Sequence, residues 1–113
     1  MSRISLKFAD FELRAELFDT EIARGLQKLL PLEIELVSWG SEVYGPIGQN
    51  LGTENPQPRV EAGALAYTNQ GNYFCIFYGQ QPAWPVEIVG QLESFQQLRM
   101  GPPPAQVRVS LVE

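Results

Sequence analysis

Aromatic side chains and Glu42 are the groups in the middle of this chain that could recognise a ligand. They fall between residues 39 and 84 and are of the types that line apolar binding grooves. The candidates for ligand contact are Glu42, Tyr44, Tyr67, Tyr73, Phe77 and Trp84. Apolar rings with a few polar groups among them predict a groove that holds a peptide or a small molecule.

Glu42 has two interpretations that the sequence leaves open. It follows Gly40 and precedes Tyr44, which places it beside the expected groove. If the side chain is buried, loss of hydration raises its pKa, and it can anchor a ligand or act as a general base. If it is a solvated strand residue, it has neither role. No second carboxylate at a useful spacing supports paired acid and base catalysis, so we assign no catalytic residue.

The tryptophans, the tyrosines and Cys75 also have purely structural interpretations. Trp39 is predicted to pack in the core, whereas Trp84 lies in a turn between Ala83 and Pro85 and is the better interface candidate. Each tyrosine has an alternative as a strand residue with its hydroxyl at the surface. Cys75 lies in the most apolar run of the chain, which favours an inert buried side chain over a reactive thiol.

The residue types that the chain lacks exclude several kinds of catalytic and metal site. It has no histidine and one cysteine, so Ser-His-Asp catalysis, Cys-His catalysis and a zinc site of Cys and His are excluded within it. The glycines at positions 71, 79 and 90 form no phosphate-binding pattern. We therefore expect no metal, no cofactor, and a function in binding rather than in catalysis.

Charge and length narrow the partners further. The 113 residues carry a net charge of −5 without a basic cluster, so neither nucleic acid nor an anionic membrane is an expected partner. Residues 1–8 alternate polar and apolar, unlike a signal peptide, and no run approaches the ~20 apolar residues of a membrane span. One cysteine permits no internal disulfide, which fits a cytoplasmic protein. The sequence leaves a homodimer open.

Short strands must position the groove residues, and the first two form a predicted hairpin. Residues 3–8 and 11–17 each alternate apolar and polar side chains, with two residues between them. Pairing residue 8 with residue 11 joins apolar to apolar and opposite charges to each other: Leu6 with Leu13, Ile4 with Ala15, Lys7 with Glu12, and Arg3 with Glu16. A one-residue slip would undo both kinds of pair.

The later elements alternate with turns and one long loop. A helix is expected over residues 20–30, capped by Asp19 or Thr20 and ended by Pro31. Residues 48–58 are rich in Gly, Asn and Pro and predict a surface loop, a kind of segment that is often functional or mobile. Further strands are predicted at residues 33–37, 41–47, 64–67, 72–78, 86–92 and 107–111, with a bend at Trp39-Gly40.

About eight strands in a single domain over residues 1–113 predict a mostly β protein, a closed barrel without exposed edges. Residues 72–78 are apolar on both faces, so this strand is covered on both sides or lines a pocket on one. In the 86–92 strand, Val86, Ile88, Gly90 and Leu92 are expected on one face. Residues 94–99 predict one helical turn, in which Ser94 and Gln97 have the spacing of a capping box.

Four sequence patterns make the chain resemble the small prokaryotic cyclophilin-like proteins of uncharacterised function. The patterns are Trp39-Gly40-x-Glu42-x-Tyr44, Gly63-x-x-x-Tyr67, Cys75-x-Phe77-Tyr78-Gly79-x-x-Pro82 and Val86-x-Ile88-x-Gly90. The resemblance covers nearly the whole chain and implies a closed eight-stranded cyclophilin-like barrel with one α-helix and one short helical turn. It also implies a cleft, one wall of which is trimmed here by the short stretch between Pro82 and Val86.

Three functions compete on this basis. The first is a non-catalytic binding domain that uses the aromatic groove. The second is a weak peptidyl-prolyl isomerase, which only the resemblance in fold implies. True cyclophilins isomerise X-Pro bonds with an arginine beside an apolar, aromatic-lined groove. Arg59 is the one arginine in the central third of this chain, and its flanks do not match that pattern. The third is an interaction subunit of a larger complex, with the 48–58 loop and the Pro102–Pro104 connector as contact surfaces.

Overall fold

The computed structural model describes residues 2–112, which form one antiparallel sheet of nine strands and two helices. The elements are β1 (Ser2–Lys7), β2 (Glu12–Leu17), α1 (Glu21–Leu29), β3 (Leu32–Glu35), β4 (Val37–Ser38), β5 (Glu42–Pro46), β6 (Ala64–Thr68), β7 (Tyr73–Phe77), β8 (Glu87–Leu92), α2 (Gln96–Met100) and β9 (Gln106–Leu111). The strand order is β3-β9-β1-β2-β8-β6-β7-β5-β4. Neither helix of the described chain has the length and apolar composition for a membrane crossing.

The first hairpin has the predicted register. Leu6 pairs with Leu13 and Ile4 with Ala15, and these side chains are buried on one face of the sheet. The alternate positions are mostly exposed, as the period of two along a strand requires. The hydrophobic pattern therefore sets this register, although the turn between the strands lacks the usual Asn-Gly or Asp-Gly sequence.

The sheet closes into a nearly complete barrel where the chain between β3 and β4 joins its two ends. The predicted strand over residues 33–37 is broken at Leu36, which gives nine strands instead of the predicted eight. The first part pairs with β9 and the second with β5, so this short segment belongs to both ends of the sheet. Gly45 permits the closure, because a Cβ there would overlap the carbonyl oxygen of Glu35.

Helix α1 covers the interior of the barrel. Ile22, Ala23 and Leu26 are buried against the core, and the opposite face of the helix is polar. The Thr20 hydroxyl accepts a hydrogen bond of 3.1 Å from the Ala23 N–H, so Thr20 rather than Asp19 is the cap. The short helix α2 differs from its prediction. It begins at Gln96 after Phe95, and no side chain caps it, so the predicted capping box is absent.

The prediction that one face of β8 carries residues 86, 88, 90 and 92 is wrong, because a β-bulge changes the alternation. Leu65 of β6 pairs with Gly90, but the next residue, Ala66, pairs with Ile88, which leaves Val89 as the extra residue. Val89 and Leu92 consequently pack in the main core, whereas Ile88 packs on the opposite side of the sheet. The bulge therefore divides β8 between two apolar clusters.

The hairpin of β6 and β7 separates these two clusters. One face contributes to the main core inside the barrel, and the other face builds a smaller cluster outside it. The inward residues of the hairpin are Leu65, Tyr67, Phe74, Ile76 and Tyr78, and the outward residues include Ala64, Ala66, Cys75 and Phe77. The apolar character of residues 72–78 on both faces is thus explained by cover on one side and a cavity on the other.

Candidate functional site

A cavity of about 300 Å³ lies over the outward face of the β6–β7 hairpin. Its lining residues are Trp39, Glu42, Tyr44, Thr68, Tyr73, Cys75, Phe77, Pro82, Ala83, Trp84 and Val86. Five of the six residues predicted from the sequence to contact a ligand are among them. The volume is at the lower end of the range of about 300–1,000 Å³ that small-molecule sites usually have.

Strand alternation explains how adjacent strands deliver their side chains to this cavity. Tyr73, Cys75 and Phe77 are every second residue of β7, so they share one face. On β5 the same period brings Glu42 and Tyr44 to the cavity. In the ladder Glu42 is opposite Phe77, and Tyr44 is opposite Cys75, which places the five side chains side by side.

A tight turn between β4 and β5 brings Trp39 next to Glu42. The backbone groups of these two residues exchange hydrogen bonds of 2.8 and 3.2 Å across the turn. Gly40 within the turn has a φ of 60°, and a Cβ there would overlap the side-chain amide of Gln80. The predicted bend at Trp39-Gly40 is confirmed, and it positions a tryptophan at the mouth of the cavity.

Glu42 is buried, which excludes its interpretation as a solvated strand residue. The residue is 6% exposed. Burial raises the pKa of its carboxyl to about 7, and the neighbouring Cys75 thiol offsets part of this rise. No arginine or lysine in the described chain forms an ion pair with it. The carboxyl of Glu42 therefore gains or loses its proton near neutral pH.

Cys75 is a buried wall residue of the cavity. The prediction of burial is confirmed, since the side chain is almost fully enclosed. Burial and the neighbouring Glu42 carboxylate both raise the pKa of the thiol well above its usual value. The thiol is consequently protonated at neutral pH and is a poor nucleophile, in agreement with the sequence interpretation of an inert residue.

Two aromatic contacts give the cavity a defined shape. The indole N–H of Trp84 donates a hydrogen bond of 3.1 Å to the Thr68 hydroxyl, which fixes the turn residue against the end of β6. The rings of Tyr44 and Tyr73 meet edge to face, with centroids 5.0 Å apart and planes inclined by 65°. The two tyrosine rings thus form adjoining walls rather than a flat surface.

The prediction that Trp39 packs in the core is wrong. Trp39 is 48% exposed and Trp84 is 41% exposed, and both line this cavity. The position of Trp39 in a tight turn after a two-residue edge strand keeps its ring outside the barrel. Thr68 also lines the cavity, although it was not predicted from the sequence. It follows Ala66 by two residues in β6, so strand alternation places both on the same face, and this spacing could have identified it.

Tyr67 does not line the cavity, because it belongs to the opposite face of β6. Its side chain is completely buried in the main core. The hydroxyl accepts a hydrogen bond of 2.8 Å from the Leu51 N–H and donates one of 2.8 Å to the Asn72 side-chain oxygen. Tyr67 therefore fastens the long loop to the barrel instead of facing the predicted groove.

The loop after β5 is held at a second point by a buried carboxylate. Glu87 of β8 accepts hydrogen bonds from the backbone N–H groups of Glu54 and Asn55, at 2.8 to 3.1 Å. The Glu54 carboxylate in turn accepts hydrogen bonds from the N–H groups of Glu21 and Ile22 at the start of α1. These bonds connect the loop both to the sheet and to the helix.

The structure places Arg59, the arginine considered for isomerase chemistry, away from the cavity. Arg59 is exposed, and neither Arg59 nor Arg99 is among the described residues that line it. Arg99 donates a hydrogen bond of 2.9 Å to the Tyr78 carbonyl and lies over the Phe95 ring. The cationic donor over the groove that would favour isomerase chemistry is thus not found in the described lining. Within residues 2–112 no cluster of three or more Cys, Asp or Glu side chains could hold a metal ion.

Comparison with known proteins relates the chain to one family. The family model described as Cyclophilin-like matches residues 2–108. The solution structure of the hypothetical protein AF2241 from Archaeoglobus fulgidus superposes with a TM-score of 0.80 and 25% identity, over 98% of this chain and 95% of that one. No curated protein shows significant sequence similarity to this chain.

A second solved structure has the same fold within a longer protein. The structure of McbB in complex with tryptophan superposes with a TM-score of 0.76 and 20% identity. The match covers 95% of this chain and 44% of McbB. This likeness shows the fold alone.

Proposed function

The chain belongs to the cyclophilin-like family, and from that premise we propose that its cavity of about 300 Å³ binds one small molecule or one side chain of a peptide. Four separate segments supply the walls: the turn after β4, strand β5, strand β7, and the turn that contains Trp84. The site requires no metal or cofactor for this role, because apolar walls and a few polar groups are sufficient to hold a ligand.

The observation that carries the proposal is the exposure of both tryptophans at one cavity. Trp39 and Trp84 are the two tryptophans of the chain, and each keeps close to half of its surface in contact with solvent. Exposed apolar surface is costly in water, and its concentration around a concave site is typical of ligand-binding surfaces. A bound ligand would cover both rings and regain part of that free energy.

Polar residues of the lining supply orientation. Glu42 and Tyr44 come from one strand and both line the cavity, whereas the Thr68 hydroxyl already accepts hydrogen bonds from the Trp84 indole and the Gln70 N–H. A ligand with one polar end and an apolar body matches this arrangement, because the polar end would meet Glu42 and the body would meet the rings.

A test of the proposal is to block the cavity from its rim without disturbing the core. Ala83 is an exposed residue of the lining, so Ala83→Phe places a ring in the cavity, whereas Ala62→Phe adds the same ring on an exposed turn elsewhere. Ligand-observed NMR with a library of small amines, alcohols and aromatic acids, including tryptophan, would detect binders of the unmodified protein.

Binders that keep their affinity for Ala62→Phe and lose at least about tenfold with Ala83→Phe would support the cavity as the binding site. Binders that are indifferent to Ala83→Phe, or a library without any binder, would contradict it. Thermal unfolding of both variants checks that each remains folded.

A further inference from the structure

The charge of the cavity is concentrated in one group. Among the described residues of its lining, Glu42 is the only charged side chain, and the rest are aromatic, aliphatic, hydroxyl or thiol groups. The ion pairs of the described chain all join side chains that are at least 38% exposed. Glu42, by contrast, is buried and has no cationic partner in the described chain, which is costly for a carboxylate unless a ligand compensates its charge.

The walls around Glu42 are rings of the kind that attract cations. Five aromatic residues line the cavity: Trp39, Tyr44, Tyr73, Phe77 and Trp84. The face of an aromatic ring carries partial negative charge, and an ammonium group within about 6 Å of it gains about 0.5–2 kcal/mol. The edge-to-face arrangement of Tyr44 and Tyr73 offers ring surfaces in two directions to one occupant.

We propose that the cavity recognises a small organic cation, an alkylated ammonium group that the aromatic walls surround and the Glu42 carboxylate neutralises. This inference rests on the proposed binding function and specifies its ligand class. The carboxylate supplies the counter-charge, the rings supply cation–π attraction, and the small volume limits the ligand to one ammonium group with a short substituent.

The alternative ligand classes fit the lining less well. An anion would meet a buried carboxylate and no cationic side chain in the described lining, so it would be repelled. A neutral acceptor could take a hydrogen bond from the protonated Glu42 carboxyl, and its affinity would then increase as the pH falls. A cation requires the ionised carboxylate, and its affinity increases as the pH rises, so the two classes have opposite pH dependence.

The pH dependence is attributed to Glu42 because it is the one carboxyl group among the described residues that line the cavity. The titratable side chains that share the cavity are Cys75 and Tyr73 of β7 and Tyr44 of β5. Burial raises the pKa of the Cys75 thiol further from neutrality. The turn after β4, strand β6 and the segment 82–86 present indole, hydroxyl and apolar groups to the cavity and no ionisable side chain.

The experiment compares choline with 3,3-dimethylbutan-1-ol, its uncharged carbon analogue of the same shape. Both tryptophans of the chain line the cavity, so the intrinsic tryptophan fluorescence of the intact protein reports on its occupancy, and calorimetry gives an independent dissociation constant. At pH 8 we expect choline to bind at least about tenfold more tightly than the alcohol. At pH 5.5 its affinity is expected to fall by at least about fivefold.

The matched variants are Glu42→Gln and Glu61→Gln, which remove the same charge at the cavity and at an exposed site outside it. Glu42→Gln is expected to reduce the preference for choline to about threefold or less and to remove its pH dependence, whereas Glu61→Gln should retain both. Equal or tighter binding of the alcohol, or no binding of choline, would overturn the inference. If the alcohol alone binds tightly, the inference about a cation is wrong, but the proposed binding function is not contradicted. The proposed binding function is contradicted if binding does not depend on Ala83→Phe.

Discussion

The two faces of the β6–β7 hairpin have similar compositions and opposite surroundings. The inward face places Tyr67, Phe74 and Ile76 in the main core, where they are fully enclosed. The outward face places Tyr73 and Phe77 beside a cavity that is open to a ligand. Aromatic content alone therefore does not identify a binding surface. The segments that pack against each face decide whether its rings fill the core or line a cavity.

Tyr67 and Tyr73 illustrate this difference with the same residue type. The Tyr67 hydroxyl is hydrogen-bonded to the Leu51 N–H and to the Asn72 side chain, so it is not free to bind a ligand. Tyr73 meets the ring of Tyr44 at the edge of the cavity and stays partly exposed. A ligand can therefore reach one tyrosine and not the other, although the two pair with neighbouring positions of the same hairpin.

The largest expected difference between the two faces is in stability. Phe74→Ala removes a fully buried ring of the main core and should lower the free energy of unfolding by about 3–5 kcal/mol. Tyr73→Ala removes a partly exposed ring from the cavity wall and should cost about 1–2 kcal/mol. Urea unfolding followed by circular dichroism measures both. Equal losses would mean that the outer cluster supports the fold as much as the core does.

The next largest effect is a pH dependence of the free energy of unfolding, which comes from Glu42 in the cavity and not from the core. Because burial raises the pKa of Glu42 to about 7, its folded form holds a proton that the unfolded form releases near 4.5. The stabilisation from this proton is complete below the unfolded value and is lost as the pH rises through 7, up to about 3 kcal/mol in total. Glu42→Gln should therefore become more stable than the unmodified protein between pH 5 and pH 8.

Glu12 and Tyr78 also have shifted pKa values, but their effects on stability fall outside the range from pH 5 to pH 8. A hydrogen bond from Ser5 lowers the pKa of Glu12, so its effect on stability falls below the window. Burial raises the pKa of Tyr78, so its effect falls above the window. Glu61→Gln controls for the change in net charge at an exposed site. A parallel pH profile for Glu42→Gln and the unmodified protein would show that Glu42 is solvated.

The smallest effect distinguishes the two tyrosines by their hydroxyl groups. Tyr67→Phe deletes the partner of the Leu51 N–H and of the Asn72 side chain, which should cost about 1–2 kcal/mol and accelerate amide exchange at Leu51. Tyr73→Phe keeps the ring contact with Tyr44 and should change stability by less than about 0.5 kcal/mol. If Leu51 exchanged at the same rate in both variants, the loop would be held by contacts other than Tyr67.

The sequence was sufficient to predict those elements whose two faces differ in polarity. The first hairpin alternates cleanly, and its register is confirmed residue by residue. The helix from Glu21 is confirmed for the same reason, since its apolar positions lie on one side and Thr20 supplies the cap. In both cases burial of one face decides the structure locally, and local pattern is what a sequence displays.

The elements that the sequence predicted incorrectly depend on contacts between distant segments. The bulge at Val89 is set by pairing with β6, and the break at Leu36 is set by the two ends of the sheet that meet there. For the candidate site, the residue types were sufficient to select Glu42, Tyr44, Tyr73, Phe77 and Trp84. They could not assign Tyr67 to the other face, because β6 is largely apolar and buried on both sides, so the alternation does not show which side faces the cavity.

The close approach of Gly45 to Glu35 has a consequence for substitutions at position 45. A Cβ there would meet the Glu35 carbonyl oxygen and the Ile34 side chain, so a larger residue would push the two ends of the described sheet apart. Gly45 directly follows Tyr44 in β5, so a displacement of this backbone would also move one wall of the cavity. The absence of one side chain thus links the curvature of the barrel to the shape of a cavity on its outer surface.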